Sequence, residues 1–132
     1  MSVAVAHQPS PTSTIALRQA AAEAHRRQTS LAVIHVVDTL DLDKIEALRA
    51  GLADEIDSAL ADSGHEHVEW ALYPATVQGD VADTVLSLAR EAGAVLLVIG
   101  ARRRSPVGKL LLGSVTQTII LEAEMPVMVV KD

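Results

Sequence analysis

The sequence contains no cysteine and very few aromatic residues. Among its 132 residues there is one Trp, one Tyr and no Phe. Without cysteine, a disulfide framework, a thiolate metal site and a cysteine nucleophile are all excluded. Aromatic residues make up only 2% of the chain whereas apolar residues make up 49%, so Val, Leu, Ile and Ala must fill the core. Aliphatic cores of this kind are common in parallel sheets covered by helices.

The chain also lacks a positive net charge and a long apolar run. Its formal charge of -6 opposes binding to nucleic acids and to anionic membrane surfaces. The longest nearly uncharged apolar run, residues 92–101, is too short to span a bilayer. The first residues lack the basic region and apolar stretch of a signal peptide. We therefore expect one soluble cytoplasmic domain over residues 1–132, with neither a nucleic-acid nor a membrane partner.

Strand-like and helix-like patterns alternate along the chain, which predicts βαβ units and a mostly parallel sheet. One helix carries an apolar residue at every third or fourth position, which predicts a single buried face formed by Leu42, Ile45, Leu48, Leu52, Ile56 and Leu60. We expect a single-domain three-layer α/β sandwich, with a five-stranded parallel sheet in flavodoxin-like or Rossmann-like order. The predicted strands are residues 3–7, 31–37, 67–73, 94–99 and 127–130, and four helices lie between them.

Two loops lie where such a sheet binds ligands, beyond the carboxyl ends of strands at a reversal of strand order. They are residues 7–13 and residues 100–113. The second loop leads into a helix that begins near Gly113, and the N–H groups of a helix N-terminus attract anions. Ser114 and Thr116 add hydroxyl groups. The sequence therefore predicts a phosphate site here, and the alternative is a helix cap beside a solvated basic turn.

These segments resemble the universal stress protein family. Gly100, Gly113 and Ser114 match the family pattern G-x2-G-x9-G-[ST]. The resemblance extends over nearly the whole chain, from the first strand and its turn to the closing stretch PVMVV. It implies an adenine nucleotide alpha hydrolase-like fold. It also implies a dimeric regulatory protein of the stress response that binds ATP or AMP, with Mg²⁺ if the ligand is ATP, and that is not an enzyme.

Two positions of the implied site depart from the family pattern. Gln8 replaces the acidic residue that usually follows the first strand, and Arg103 replaces the second glycine. The Arg103 guanidinium either obstructs the phosphate or pairs with it. The implied nucleotide-binding residues are Gln8, Val36, Ile99, Gly100, Arg103, Gly113, Ser114, Val115 and Thr116.

The departures leave two alternatives to a nucleotide-binding regulator. One is a nucleotide-free dimeric adaptor of the same fold. The other is a weak ATPase, which is disfavoured because no water-activating acid is evident near the predicted phosphates. For both the nucleotide-binding regulator and the nucleotide-free adaptor, the resemblance and the apolar last strand suggest dimerisation. The residues involved would be Val127, Met128, Val129 and Val130.

The remaining polar motifs predict no catalytic residue and no metal site. The run 102–104 with Lys109 is interpreted as a solvated turn or small-anion site rather than a nucleic-acid patch. The stretch His65-Glu66-His67 with Glu69 has metal-ligating side chains, but nothing nearby completes a shell, so a surface turn is expected. His35 lies in an apolar strand, where we expect it to be buried with a local hydrogen bond. Acidic residues of the second helix are expected to be solvated surface.

Overall fold

The computed structural model describes residues 1–7, 11–37, 41–76, 79–101 and 112–131. Gln8 and Arg103, and the basic run around Arg103, therefore lie outside the described residues. Five strands and four helices alternate in the described part of the chain, as predicted. They are β1 (Ser2–His7), α1 (Pro11–Arg26), β2 (Ser30–Val37), α2 (Leu42–Asp62), β3 (Trp70–Thr76), α3 (Val81–Glu91), β4 (Ala94–Ala101), α4 (Ser114–Glu122) and β5 (Val127–Lys131).

The strands form one parallel sheet in the order β3-β2-β1-β4-β5. The chain moves outward from β1 through β2 to β3, then returns to the other side of β1 and continues through β4 to β5. The crossovers that follow β1 and β4 therefore run in opposite directions. In sheets of this topology, ligands bind in a crevice beyond the carboxyl ends of these two strands, where the predicted ligand loops begin.

Each face of the sheet packs against two helices, which confirms the three-layer fold. Successive strand residues point to opposite faces, so alternate residues enter different cores. Val3 and Val5 of β1 pack with α1 and α2, whereas Ala4 between them packs with α3 and α4. Both cores are aliphatic, as the composition requires. The largest fully buried side chains are Leu17, Leu31, Ile34, Ile56, Leu60, Leu97, Val3, Val5, Val33 and Val98.

The third strand begins and ends later than predicted. The Val68 N–H donates to the His65 carbonyl at 2.9 Å, so the first part of the predicted strand is a turn. β3 starts at Trp70, opposite Leu31 of β2, and extends through Pro74 to Thr76. Proline has no N–H to donate to a neighbouring strand, but β3 lies at the sheet edge, where proline is tolerated. The prediction of residues 67–73 was therefore wrong by three residues at each end.

The N-terminal half of α2 is exposed, contrary to the single buried face that was predicted. Leu52, Ile56 and Leu60 are buried, but Leu42 is 78% exposed and Leu48 is 43% exposed. A helix of 21 residues is about 31 Å long, which exceeds the length of the strands that it covers. Despite these exposed leucines, no helix in the described part of the chain is long and apolar enough to cross a membrane.

Candidate functional site

Gly100 allows α1 to pack directly against the end of β4. A Cβ atom added at Gly100 would lie 3.2 Å from the Thr12 Oγ1 and 3.3 Å from the Thr12 Cβ. Such contacts are closer than ordinary van der Waals contact, so a side chain here would push the first turn of α1 outward. Thr12 is itself only 4% exposed. Gly100 therefore determines how closely the first turn of α1 approaches the end of β4.

Gly113 has a different role, because neither its backbone dihedral angles nor its contacts with the described residues require glycine. It is the N-cap residue of α4, with an ordinary φ of -67° and ψ of 163°. A Cβ atom added there would meet nothing within 4 Å among the described residues. Gly113 makes no side-chain capping bond to the first turn of α4. Because it has no side chain, Gly113 itself adds nothing in front of that turn.

The first turn of α4 is suited to an anion. The N–H groups of Ser114, Val115 and Thr116 precede the first intrahelical bond, which the Gln117 N–H makes to the Gly113 carbonyl at 3.0 Å. Ser114 is exposed, and Val115 and Thr116 are half-buried. The partial positive charge of the helix N-terminus adds to the attraction for negative charge. The loop between Ala101 and Leu112, which joins α4 to the switch point, lies outside the described residues.

Val36 and Ile99 are core residues near the carboxyl edge. Ile99 is 3% exposed and belongs to the core under α3 and α4. Val36 is half-buried and packs against the same core. The Ile99 side chain therefore faces away from solvent, and a ligand at this edge would meet its backbone. The predicted residues thus divide into core positions and the open helix N-terminus.

A buried pair of histidines lies at the carboxyl ends of β1 and β2. His7 is 3% exposed and His35 is 7% exposed. The two Nδ1 atoms are 3.4 Å apart, and the His35 Nδ1 lies 3.3 Å from the His7 carbonyl oxygen. The His7 Nε2 lies 3.2 Å from the Glu55 Oε1, to which the Ser13 hydroxyl also donates at 3.4 Å. This network joins both strands to α1 and α2 directly beneath the crevice.

Burial lowers the pKa of His35, and the neighbouring His7 lowers it further. The bond to the His7 backbone and the charge of Glu55 act in the opposite direction but are smaller. His35 is therefore neutral at neutral pH. The burial and local hydrogen bond predicted for His35 are confirmed.

Sequence reasoning did not identify His7 and Glu55 as partners. Glu55 was expected to be solvated, because it belongs to an acidic helix. The helical spacing could have indicated a partner, because Glu55 lies three residues after Leu52 and four before Ala59, both of which are buried. The Glu55 side chain is 40% exposed, so it lies at the margin of that face, where it can reach a buried partner and stay partly solvated. The histidine at the end of β1 is that partner.

The strand order and the helix layers define a Rossmann-like α/β domain, with the N-terminus of α4 beyond the end of β4. The sequence model of the universal stress protein family matches residues 1–131, and the chain belongs to this family. The chain is 36% identical to a universal stress protein of Mycolicibacterium smegmatis over 98% of this chain and 96% of the relative. The predicted family and fold class are confirmed.

Two solved structures from Archaeoglobus fulgidus have the same fold. A universal stress protein of 32% identity aligns with a TM-score of 0.76, over 98% of this chain and 97% of that one. A second, determined in complex with dAMP, has 28% identity and a TM-score of 0.71, over 98% of this chain and 96% of that one.

Proposed function

We propose that this protein binds an adenine nucleotide, ATP or AMP, at the carboxyl edge of its sheet, and that occupancy regulates a stress response. The observation that carries the proposal is the N-terminus of α4, where Gly113 adds no side chain in front of three N–H groups and no described atom lies within 4 Å of its Cβ position. The similar Archaeoglobus fulgidus protein was solved with dAMP, a ligand with one adenine and one phosphate. The same chemistry suits the crevice here.

The charges of the site fit a phosphate. The first turn of α4 provides N–H donors and a partial positive charge, and the sequence places Arg102, Arg103 and Arg104 in the preceding loop. We propose that Arg103 pairs with the phosphate, since the chain is otherwise acidic. Gln8, directly after β1, has an amide that can bond to a ribose hydroxyl. A bound ATP would bring Mg²⁺ with it.

The proposed role is regulatory rather than catalytic. Hydrolysis of ATP requires an acid or base that activates water near the γ-phosphate. Glu55 is the described carboxylate that bonds to the end of β1, and it is already bonded to His7 and Ser13. These contacts support a structural role for Glu55 at the carboxyl ends of β1 and β2.

We also propose that the protein is a homodimer, paired through Val127, Met128, Val129 and Val130. In the described part of the chain β5 pairs only with β4, so β5 is an edge strand. Its apolar side chains are half-buried and contribute to both cores. On the neighbouring helix, Leu121 is 83% exposed. An apolar edge strand of this kind is suited to pairing with a second copy.

Gly113→Val provides the test of the nucleotide site. The added side chain occupies the space in front of the first turn of α4 but meets no described atom within 4 Å at its Cβ. Valine is a poorer N-cap than glycine, so we expect a loss of about 1 kcal/mol in stability. Calorimetric titration should show AMP or ATP binding to the wild type and none to the variant.

A stability control separates binding from folding. Gly51→Ala changes an exposed glycine in α2, remote from α4 in sequence, and should leave nucleotide affinity unchanged. Equal affinity in wild type and Gly113→Val would place the ligand elsewhere. A wild type that binds neither AMP nor ATP at millimolar concentration would favour the nucleotide-free dimeric adaptor, and release of phosphate from ATP would favour the weak ATPase.

A further inference from the structure

Three histidines meet at the amino edge of the sheet, opposite the proposed nucleotide site. His25 lies in the last turn of α1, and His65 and His67 lie in the turn between α2 and β3. Their ring centroids are 4.7 Å apart for His25 and His67, 5.6 Å for His25 and His65, and 6.2 Å for His65 and His67. No sequence pattern connects His25 with the other two.

These spacings are those of imidazoles that share one metal ion. With Zn–N bonds of about 2.0 to 2.1 Å and tetrahedral angles, the ring centroids of two ligating imidazoles lie about 5 Å apart. The three observed distances lie on either side of this value. As the side chains stand, no three His, Cys, Asp or Glu residues in the described part of the chain are placed to hold a metal ion. Metal binding by this cluster therefore requires the imidazole rings to rotate so that their nitrogens converge.

The hydrogen bonds of His65 leave the correct nitrogen available. The Ser63 hydroxyl donates to the carbonyl oxygens of Ala59 and Leu60, at 2.9 and 3.2 Å. When the single hydroxyl hydrogen points to either carbonyl, the contact of 3.1 Å between the Ser63 Oγ and the His65 Nδ1 has the imidazole as donor. In that tautomer the His65 Nδ1 carries the proton, and the lone pair is on Nε2. Histidine ligands of metals are commonly oriented in this way through their second nitrogen.

His25 and His67 already place two ring nitrogens together. The His67 Nε2 lies 2.8 Å from the His25 Nδ1, so one of the two donates to the other. In a metal complex the donor ring moves its proton to its other nitrogen, and both lone pairs then face the ion. The nitrogens must separate from 2.8 Å to about 3.3 Å, the spacing that tetrahedral bonds of this length require. Both side chains are exposed, so this movement meets little resistance.

The surroundings of the cluster also suit a cation. His25, His67 and Glu69 line the same surface cleft, and Glu66 is exposed between the two histidines of the turn. Arg26 also lines the cleft, but its guanidinium forms an ion pair with Glu23. The nearby acidic side chains therefore provide negative charge, while the imidazoles provide the ligands.

We propose that His25, His65 and His67 form a binding site for a late transition-metal ion such as Zn²⁺, with water as the fourth ligand. Imidazole is a preferred ligand of Zn²⁺, Cu²⁺ and Ni²⁺ but not of Mg²⁺ or Ca²⁺. The site differs from the expectation that this stretch is only a surface turn. It lies at the opposite end of β2 from the nucleotide site, roughly 25 Å away along an eight-residue strand.

The test is a Zn²⁺ titration of the wild-type protein followed by nitrogen-15 NMR of the imidazole rings. All five histidines of the chain are described, so His7 and His35 serve as internal controls. We expect saturation at one Zn²⁺ per chain, with ring shifts at His25, His65 and His67 and none at the two buried rings. Shifts at fewer than three rings of the cluster, or no change up to about 100 μM Zn²⁺, would overturn the proposal.

Calorimetry on single variants provides the second measurement. His67→Asn and His25→Asn should each weaken Zn²⁺ binding at least about tenfold, because each removes one ligand. Glu66→Gln keeps all three imidazoles and should change the affinity by less than about threefold. Equal losses in Glu66→Gln and His67→Asn would show that general acidic attraction, not imidazole ligation, holds the ion. Circular dichroism of each variant verifies the fold.

Discussion

Gly100→Ala is the substitution whose cost the structure determines most directly. The new Cβ would lie 3.2, 3.3 and 3.4 Å from the Oγ1, Cβ and backbone oxygen of Thr12. Two of these atoms belong to the rigid part of α1, so the helix must shift by a few tenths of an ångström. Overpacking of this kind costs about 1 to 3 kcal/mol, and the gain from restricting the unfolded chain offsets up to about 1 kcal/mol. With both effects near the middle of these ranges, we expect a net loss of about 1 to 2 kcal/mol.

Gly51→Ala is the matched control, because it makes the same chemical change where the chain has room. Gly51 is exposed in α2, and a Cβ atom there would meet nothing within 4 Å. Alanine in a helix interior is favoured over glycine by about 0.5 to 1 kcal/mol. Urea unfolding should therefore show effects of opposite sign for the two variants. A Gly100→Ala protein as stable as wild type would refute the close packing of α1 against β4.

Three further outcomes follow from the described contacts and from the sequence. In the folded protein the pKa of His35 is lowered from its ordinary value of 6.5. As the pH falls, the unfolded state therefore takes up the proton first, and the stability that neutral His35 contributes is lost below about pH 6.5. Urea titrations should show this loss, with a slope of at most about 1.4 kcal/mol per pH unit that His35→Gln reduces. Val129→Lys should convert the dimer to a monomer in sedimentation, and a monomeric wild type at tens of micromolar would contradict the proposed pairing. Arg103→Gly should weaken ATP binding by about 1.5 to 3 kcal/mol in calorimetry, whereas tighter binding would show that Arg103 obstructs the phosphate.

The fold was largely predictable because its elements have strong local patterns. Four strands are dense runs of aliphatic residues, Asp80 caps the start of α3, and Gly64 follows the end of α2 with a φ of 75°. The bounds of β3 were not predictable from local pattern. Its register depends on pairing with β2, and Pro74, which discourages a strand locally, is acceptable only because β3 lies at the sheet edge.

The candidate sites were only partly predictable, because they depend on contacts between residues far apart in the chain. The glycine and serine of α4 are adjacent in a recognisable pattern, so that helix N-terminus was identified. His7 and Glu55 are 48 residues apart, and His25 and His67 are 42 residues apart. Periodicity describes one element at a time. It does not show which side chains of two elements meet.

The central claim is that an adenine nucleotide occupies the carboxyl edge of the sheet, beside the first turn of α4. The most direct measurement is an AMP titration of the wild-type protein followed by backbone amide NMR. We predict saturable shifts at Gly100 and at the N–H groups from Gly113 to Thr116, with no change at His25 and His67. Shifts that are absent at millimolar AMP, or that appear at the amino edge instead, would contradict the proposed site.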